Sequence, residues 1–141
     1  MKITENGEIL KEYINVSLVI SSDDDYADVI TNRLDITPTQ IRDKDSFQIK
    51  EFEHCEWIYS TGDLKVRSLS DAVVPILTVF GKKRDTIISL TKEIKGKCDI
   101  VVVISAFSGD GPEVVLDKDL ISFSNDIEAE IGFDLYFYDR E

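Results

Sequence analysis

YINVSLVISSDDDYADVITNRLDITP, residues 13–38, changes its period halfway, and that change decides the fold. Up to Ser21 the apolar side chains fall at every second position. Ile14, Val16, Leu18 and Ile20 share one face, with Tyr13, Asn15, Ser17 and Val19 on the other, the pattern of a strand buried on one side. After the aspartates the spacing becomes three and four: Tyr26, Val29, Ile30, Arg33 and Leu34, with Ala27 alongside, predict an amphipathic helix. The boundary residues read as the head of that helix. Ser22 is placed as its N-cap, with Asp25 three residues on as the acidic arm of a capping box. Asp23 and Asp24 then fall in the first turn, where the helix dipole favours negative charge by roughly 0.3–1 kcal/mol each. A metal site is the weaker reading of the same carboxylates. Successive helical residues point about 100° apart, so adjacent aspartates fan out instead of converging, and the spacing of a calcium loop is missing. Asp35 suits a left-handed helix end, and Pro38 stops the helix from continuing.

Outward from this unit, residues 1–12 read as a loose lead-in or an edge strand. A short strand is expected around Gln40 to Lys44, followed by polar loop, and CEWIYST, Cys55 to Thr61, is a strand rich in aromatic and β-branched residues. The long helical region begins near Ser70, a candidate cap, and carries Val73, Leu77, Phe80, Ile87 and Ile94 on one face. Pro75 means that the helix starts late or kinks there, and Gly81 is placed to divide it. Lys95-Gly96-Lys97 is a helix C-terminus. CDIVVVISAF, Cys98 to Phe107, is apolar on both faces and reads as the most buried strand. SGDGP turns the chain, EVVLD is expected as a short strand, and Asp117 caps a helix carrying Leu120, Ile121 and Phe123. The last stretch alternates. Ile127, Ala129, Ile131, Phe133, Leu135 and Phe137 face one way, and Glu128, Glu130, Asp134, Tyr136 and Tyr138 the other.

The order is β-α-β-β-α-β followed by β-α-β. It predicts an α+β fold: a single-layer mixed, mainly antiparallel sheet with helices on one face, a ferredoxin-like βαββαβ unit with a βαβ half-unit appended. At 141 residues, with 43% hydrophobic side chains, one domain spanning 1–141 with a sizeable core is expected.

The charge bounds the partners. Sixteen bases against 28 acids leave a net charge of −12, which repels nucleic-acid phosphates and anionic lipid and attracts basic protein surfaces. Neither an apolar leader nor a membrane-spanning run is read in the sequence, so the cytoplasm is the expected compartment. His54 is the only histidine, and Cys55 and Cys98 form no CxxC, so a zinc site is not expected. His54 and Cys55, adjacent on a strand, would point to opposite faces and make a poor base–thiol pair.

Several stretches carry a resemblance. YINVSLVISSDD, LDITPTQIRDKD, the strand of the lone Trp57 and LDKDLISFSNDIEAEIGFDLYFY, in this order, resemble domain-of-unknown-function family 4279, a bacterial family of small α+β proteins. Leu34-x-Ile36-x-Pro38-Thr39 and Asp134-Leu135-Tyr136 are the most specific parts. Asp35 stands where the family often has glycine, and the basic-aromatic stretch after Pro38-Thr39 is less marked here. The resemblance implies the fold and a bacterial origin, and no activity.

Catalytic signals are absent from the motifs. SGDGP lacks the lysine and spacing of a phosphate loop, the two DKD runs (Asp43 to Asp45, Asp117 to Asp119) read as a loop and a helix start, and no serine has a recognisable base. No catalytic residue, metal ligand or cofactor is assigned, and the chain is read as leaning away from an enzyme. The favoured expectation is a non-enzymatic acidic module binding a basic partner, such as an immunity- or antitoxin-type inhibitor. Its candidate contact residues are Tyr13, Glu128, Glu130, Asp134, Tyr136 and Tyr138, where tyrosine supplies contact area and acids supply steering. The alternative is a small-molecule- or anion-binding, even enzymatic, domain using the helix–sheet crevice and the loop from Thr37 to Asp45, with Arg33, Arg42, Lys44 and Arg67 as cations. A homodimer through the open sheet face fits either.

Overall fold

The computed structural model describes residues 12–44 and 54–140. Residues 1–11 of the expected lead-in at 1–12, and the part of the polar loop at 45–53, lie outside the described residues. Five strands form one sheet: β1 (Tyr13–Ser22), β2 (Gln40–Arg42), β3 (Cys55–Ser60), β4 (Lys97–Phe107) and β5 (Glu130–Tyr138). Their spatial order is β2-β3-β1-β4-β5. The first four pair antiparallel throughout, the arrangement of a ferredoxin-like unit, and β5 adds itself parallel to β4. The fold is the predicted α+β architecture, a mixed and mainly antiparallel sheet with its helices on one face.

β1 is the middle strand, and its alternation sets the rest. Ile14, Val16, Leu18 and Ile20 are all buried, opposite Ile104, Val102, Ile100 and Cys98 of β4. Onto this face pack α1 (Ala27–Leu34), α2 (Leu69–Ala72), α3 (Val74–Phe80), α4 (Arg84–Glu93) and α5 (Lys118–Asp126), through Ile30, Leu34, Ile76, Phe80, Ile87, Leu90, Leu120 and Phe123. Trp57 of β3 is fully enclosed. Its indole Nε1 donates to Thr31 Oγ1 at 3.1 Å, and its ring meets the edge of Phe80 at 6.3 Å, so the polar handle of the largest core side chain is satisfied.

Several local expectations shift. The first helix begins at Ala27, not at the aspartates, because Ser22 is still the end of β1. Ser22 Oγ donates to the Asp24 carbonyl at 2.7 Å, which closes a turn, and the Ala27 N–H donates to Asp25 Oδ1 at 3.1 Å. Asp25 therefore braces the helix start from the position before its N-cap, Tyr26, which makes no side-chain capping bond, and Asp23 and Asp24 stand exposed in the turn. The far end is as expected: Asp35 sits at φ 56°, its N–H donated to Thr31. Val29 of this helix and Ile121 of α5, both expected inward, are exposed.

Pro75 lies in the first turn of α3, where a missing N–H costs nothing, so the long region starts anew there instead of kinking. The cap of the preceding short helix is Ser68, which accepts from Asp71 N–H at 3.1 Å, in place of the expected Ser70. After α4 the chain closes through Lys95, at φ 54°, with the Gly96 N–H donated to Thr91 and the Lys95 N–H to Lys92. Gly96 is glycine for space, not for φ: a Cβ there would stand 2.6 Å from the Ser21 carbonyl oxygen.

Two expectations about strands are corrected. Glu113 makes only an isolated bridge to Ser68, so EVVLD is an extended loop and β4 itself is the first strand of the appended β4-α5-β5 unit. β4 is also no more deeply buried than β1, because β1 has two antiparallel neighbours and the helix layer centred on it.

The carboxylates at helix starts are separable by mutation. Asp117 Oδ1 accepts from Leu120 N–H at 2.9 Å, so Asp117→Ala is expected to cost about 1 kcal/mol. Asp23→Ala and Asp24→Ala should stay within about 0.5 kcal/mol of the parent. Urea midpoints at constant m-value check both.

Candidate functional site

The sheet has one covered and one open face. On the open face the registers align the side chains in rows: Tyr13 with Ser105 and Tyr136, Asn15 with Val103 and Asp134, Ser17 with Val101 and Gly132, Val19 with Asp99 and Glu130. Five of the six predicted contact residues, Tyr13, Glu130, Asp134, Tyr136 and Tyr138, therefore share this face. Glu128 does not. It sits at φ 55° in the turn between α5 and β5, because the strand begins only at Glu130. Ile127, also expected in the strand, is the buried end of α5.

Internal bonds hold Asp134, Tyr136 and Glu130 in place. Tyr136 Oη donates to Asp134 Oδ2 at 2.8 Å, and that hydrogen bond, with the charge behind it, holds the phenol above its ordinary range. Glu130 accepts from Lys97 Nζ at 3.4 Å beside Asp99, whose carboxyl is raised mainly by burial. Asn15 and Ser17 belong to the frame: Asn15 Nδ2 donates to Asp63 Oδ1 at 2.9 Å, and Ser60 Oγ donates to Asn15 Oδ1 at 2.9 Å. That network ties β1 to the end of β3.

The larger departure from expectation is on the other side of β5. The alternation places its apolar residues together on one face, the side of the helices. Ile131 does pack against the core, but the helix layer ends there. Phe133, Leu135 and Phe137 are 41%, 52% and 54% exposed. With Ile104, Pro112 and Val114 they line an apolar groove of about 400 Å³. The groove wall is the loop after β4, and Arg67 pins it. Its guanidinium donates to the Asp110 and Gly111 carbonyls and to Asp110 Oδ1, each at 3.2 Å, while Leu69 N–H donates to the Glu113 carbonyl at 2.9 Å. Val115, Leu116 and Ile121 are exposed as well. Full burial of a Leu or Phe side chain stabilises by about 1.5–3 kcal/mol, and these residues forgo roughly half of it. Contiguous apolar surface of this kind marks an interaction site.

β5 is also an edge. The Tyr138 carbonyl accepts from Ser108 N–H at 2.8 Å, so Tyr138 directs its backbone groups inward to β4. Backbone direction alternates along a strand, which turns the N–H and C=O groups of Ile131, Phe133, Leu135 and Phe137 outward. Among the described residues no strand pairs with them. The acids are also dense in this part of the sequence: residues 108–140 hold nine against two bases, a net of −7. That concentration is visible in the sequence, and is the signal that points to this end of the molecule.

The competing site is less supported. The four candidate cations do not converge: Arg33 pairs with Glu93, Arg42 with Glu56 at 3.3 Å, Arg67 with Asp110, and Lys44 stands beside Cys55. The helix–sheet crevice between α1 and β3, lined by Ile30, Arg42, Cys55 and Trp57, encloses about 10 Å³, room for one water at most. A more open polar hollow of about 320 Å³ lies between His54, Asp23, Lys95 and Lys97. His54 faces this hollow while Cys55 faces the crevice, so the two diverge as expected. Burial, and the neighbouring Asp99, push the Cys98 thiol up to about 12, and burial raises Cys55 too, followed by the charge of Asp25. Both are poor nucleophiles. Among the described residues no group of three or more His, Cys, Asp or Glu side chains is placed to hold a metal ion, and no helix is long and apolar enough to cross a membrane.

A family model described as "Domain of unknown function (DUF4279)" matches residues 11–138. No curated protein and no solved structure matches the chain.

Two titrations check the electrostatics. Losing the Tyr136 proton breaks a donated hydrogen bond and sets a phenolate beside a carboxylate, so Tyr136 should ionise above 10, and Asp134→Asn should bring it down towards that value. An NMR-monitored pH titration of the ring reads this. A thiol reagent at pH 8 should leave Cys98 unmodified until the protein is unfolded.

Proposed function

The chain belongs to the DUF4279 family, whose description assigns no activity, and on its geometry we propose that it is a protein-binding module that acts through β5. The observation that carries this reading is the exposure of β5 on three sides at once: an apolar face, a tyrosine–carboxylate face and an outer edge. The inner strands β1 and β4 hide their apolar face and both edges. Tyr136 and Tyr138 offer rigid contact area with a polar tip, and Phe133, Leu135 and Phe137 offer the apolar centre that interfaces desolvate. The partner is basic. The net charge of −12 steers a cationic surface inwards and repels nucleic acid and anionic lipid. An immunity- or antitoxin-type inhibitor, which occludes a basic effector domain by binding and performs no chemistry, has these requirements and no others. The poor thiols and the filled crevice support a binding role over an enzymatic one.

The test uses the tagged chain as bait in lysate of its own source organism, with the Asp134→Lys/Tyr136→Ala variant as control and mass spectrometry as readout. The wild type should retain a protein of basic isoelectric point at about 0.1 M salt, in at least tenfold excess over the variant, and release it as salt rises and the Debye length shrinks. A basic effector encoded beside the chain's own gene would identify it as the inhibited partner. Equal retention by both baits, or no basic protein on either, overturns the reading.

A further inference from the structure

We infer that the segment bound by β5 is an extended stretch of the partner chain, added as a sixth strand along its outer edge, in which apolar residues alternate with lysine or arginine. The inference rests on the protein-binding reading above and specifies its mode. Three features of β5 fit one another. The outward N–H and C=O groups of Ile131, Phe133, Leu135 and Phe137 repeat at every second residue, the spacing at which an added strand forms its ladder. An added strand sends alternate side chains to opposite faces. On one face they enter the groove walled by Pro112 and Val114 and floored by Phe133, Leu135 and Phe137, which holds no charged side chain. On the other they arrive beside Asp134, Tyr136 and Tyr138, where a cation meets a carboxylate and aromatic rings. The apolar–cationic alternation is thus dictated by the two faces of β5.

Charge selects between occupants. A second copy of this chain could lay its own β5 along the same edge, but each copy brings a strand whose charged residues, Glu130 and Asp134, are both acidic. A register centred on Asp134 sets two carboxylates directly opposite, which is destabilising. A cationic strand removes both conflicts.

The probe is a blocked nine-residue peptide alternating valine with lysine, measured by fluorescence anisotropy against the whole chain. A block isomer of the same composition and an alternating valine–glutamate peptide are the controls. The alternating valine–lysine peptide should bind at least tenfold tighter than either. Its binding should slow amide exchange at Ile131, Phe133, Leu135 and Phe137 and leave the inward amides of Asp134 and Tyr136 as they were. Leu135→Pro deletes an outward donor without touching a bond to β4, and should weaken binding at least tenfold with the circular dichroism spectrum retained. Should that variant not fold, N-methylation of the peptide at alternate residues makes the same test: one phase must abolish binding and the other spare it. Equal binding of the block isomer, or of both methylation phases, overturns strand addition. So does sedimentation of the free chain as a dimer that Leu135→Pro dissolves, which would put a second copy on the edge. A captured basic protein that binds Leu135→Pro as tightly as wild type sinks this mode and leaves the protein-binding reading standing; a bait that captures nothing while the peptide pattern fails sinks both.

Discussion

The register of β1 is the constraint on which the rest hangs. With Ile14, Val16, Leu18 and Ile20 committed to one face, antiparallel pairing brings Cys98, Ile100, Val102 and Ile104 of β4 to the same side. A slip of one residue would turn every one of these side chains into solvent, so the register admits no alternative. Parallel pairing then carries the choice one strand further: Ile131, Phe133, Leu135 and Phe137 must lie on the helix side, and Asp134, Tyr136 and Tyr138 on the open side. The exposed residues of β5 are the consequence of a register set three strands into the core.

What the helices do not do matters as much. They pack over β3, β1 and β4, the strands between Trp57 and Ile104. In α5, Phe123, Leu120 and Ile127 are used up in the core, and Arg84 ties the helix to α4 through Asp126 and its stack on Phe123 at 5.3 Å. Only Ile131 falls under that cover. The groove is the space left where a helix layer stops before the sheet does. One wall is a loop held by Arg67 through backbone carbonyls, an arrangement stiffer than a free loop.

Legibility followed the same division. Periodicity was decisive where each alternate position has one environment, as in β1, and where a stop has one chemistry, as at Asp35 and Gly81. It misled at the aspartates, because Ser22 satisfies the rules for a helix cap and a strand end equally. Only the pairing of Ser22 with Cys55 shows that the strand is still running. It misled again at Phe133, Leu135 and Phe137. Alternation reports that a strand has two unlike faces, and says nothing of whether a layer exists to cover the apolar one. That depends on the length and direction of α5, which are tertiary facts. The charge concentrated in residues 108–140 is local to the sequence, and is the one clue there that this end differs from the rest.

A long apolar edge strand is ordinarily a hazard, since any other strand, including its own copy, is a template match. Nature blunts such edges with charge, and the two charged residues of β5 itself, Glu130 and Asp134, are both acidic. Lysines on an edge repel other copies and also repel basic partners; carboxylates repel other copies while drawing basic partners in. The acids around β5 thus do two things with one set of groups: they keep identical edges apart, and they confine pairing to strands of opposite charge. Specificity then arises without any change in the backbone ladder, which is the same for every sequence. It resides in the two faces, one accepting apolar side chains against Phe133, Leu135 and Phe137, the other accepting cations against Asp134. A strand that is neutral gains the ladder alone, an acidic strand is repelled, and a strand that alternates in the right phase gains all three contributions together.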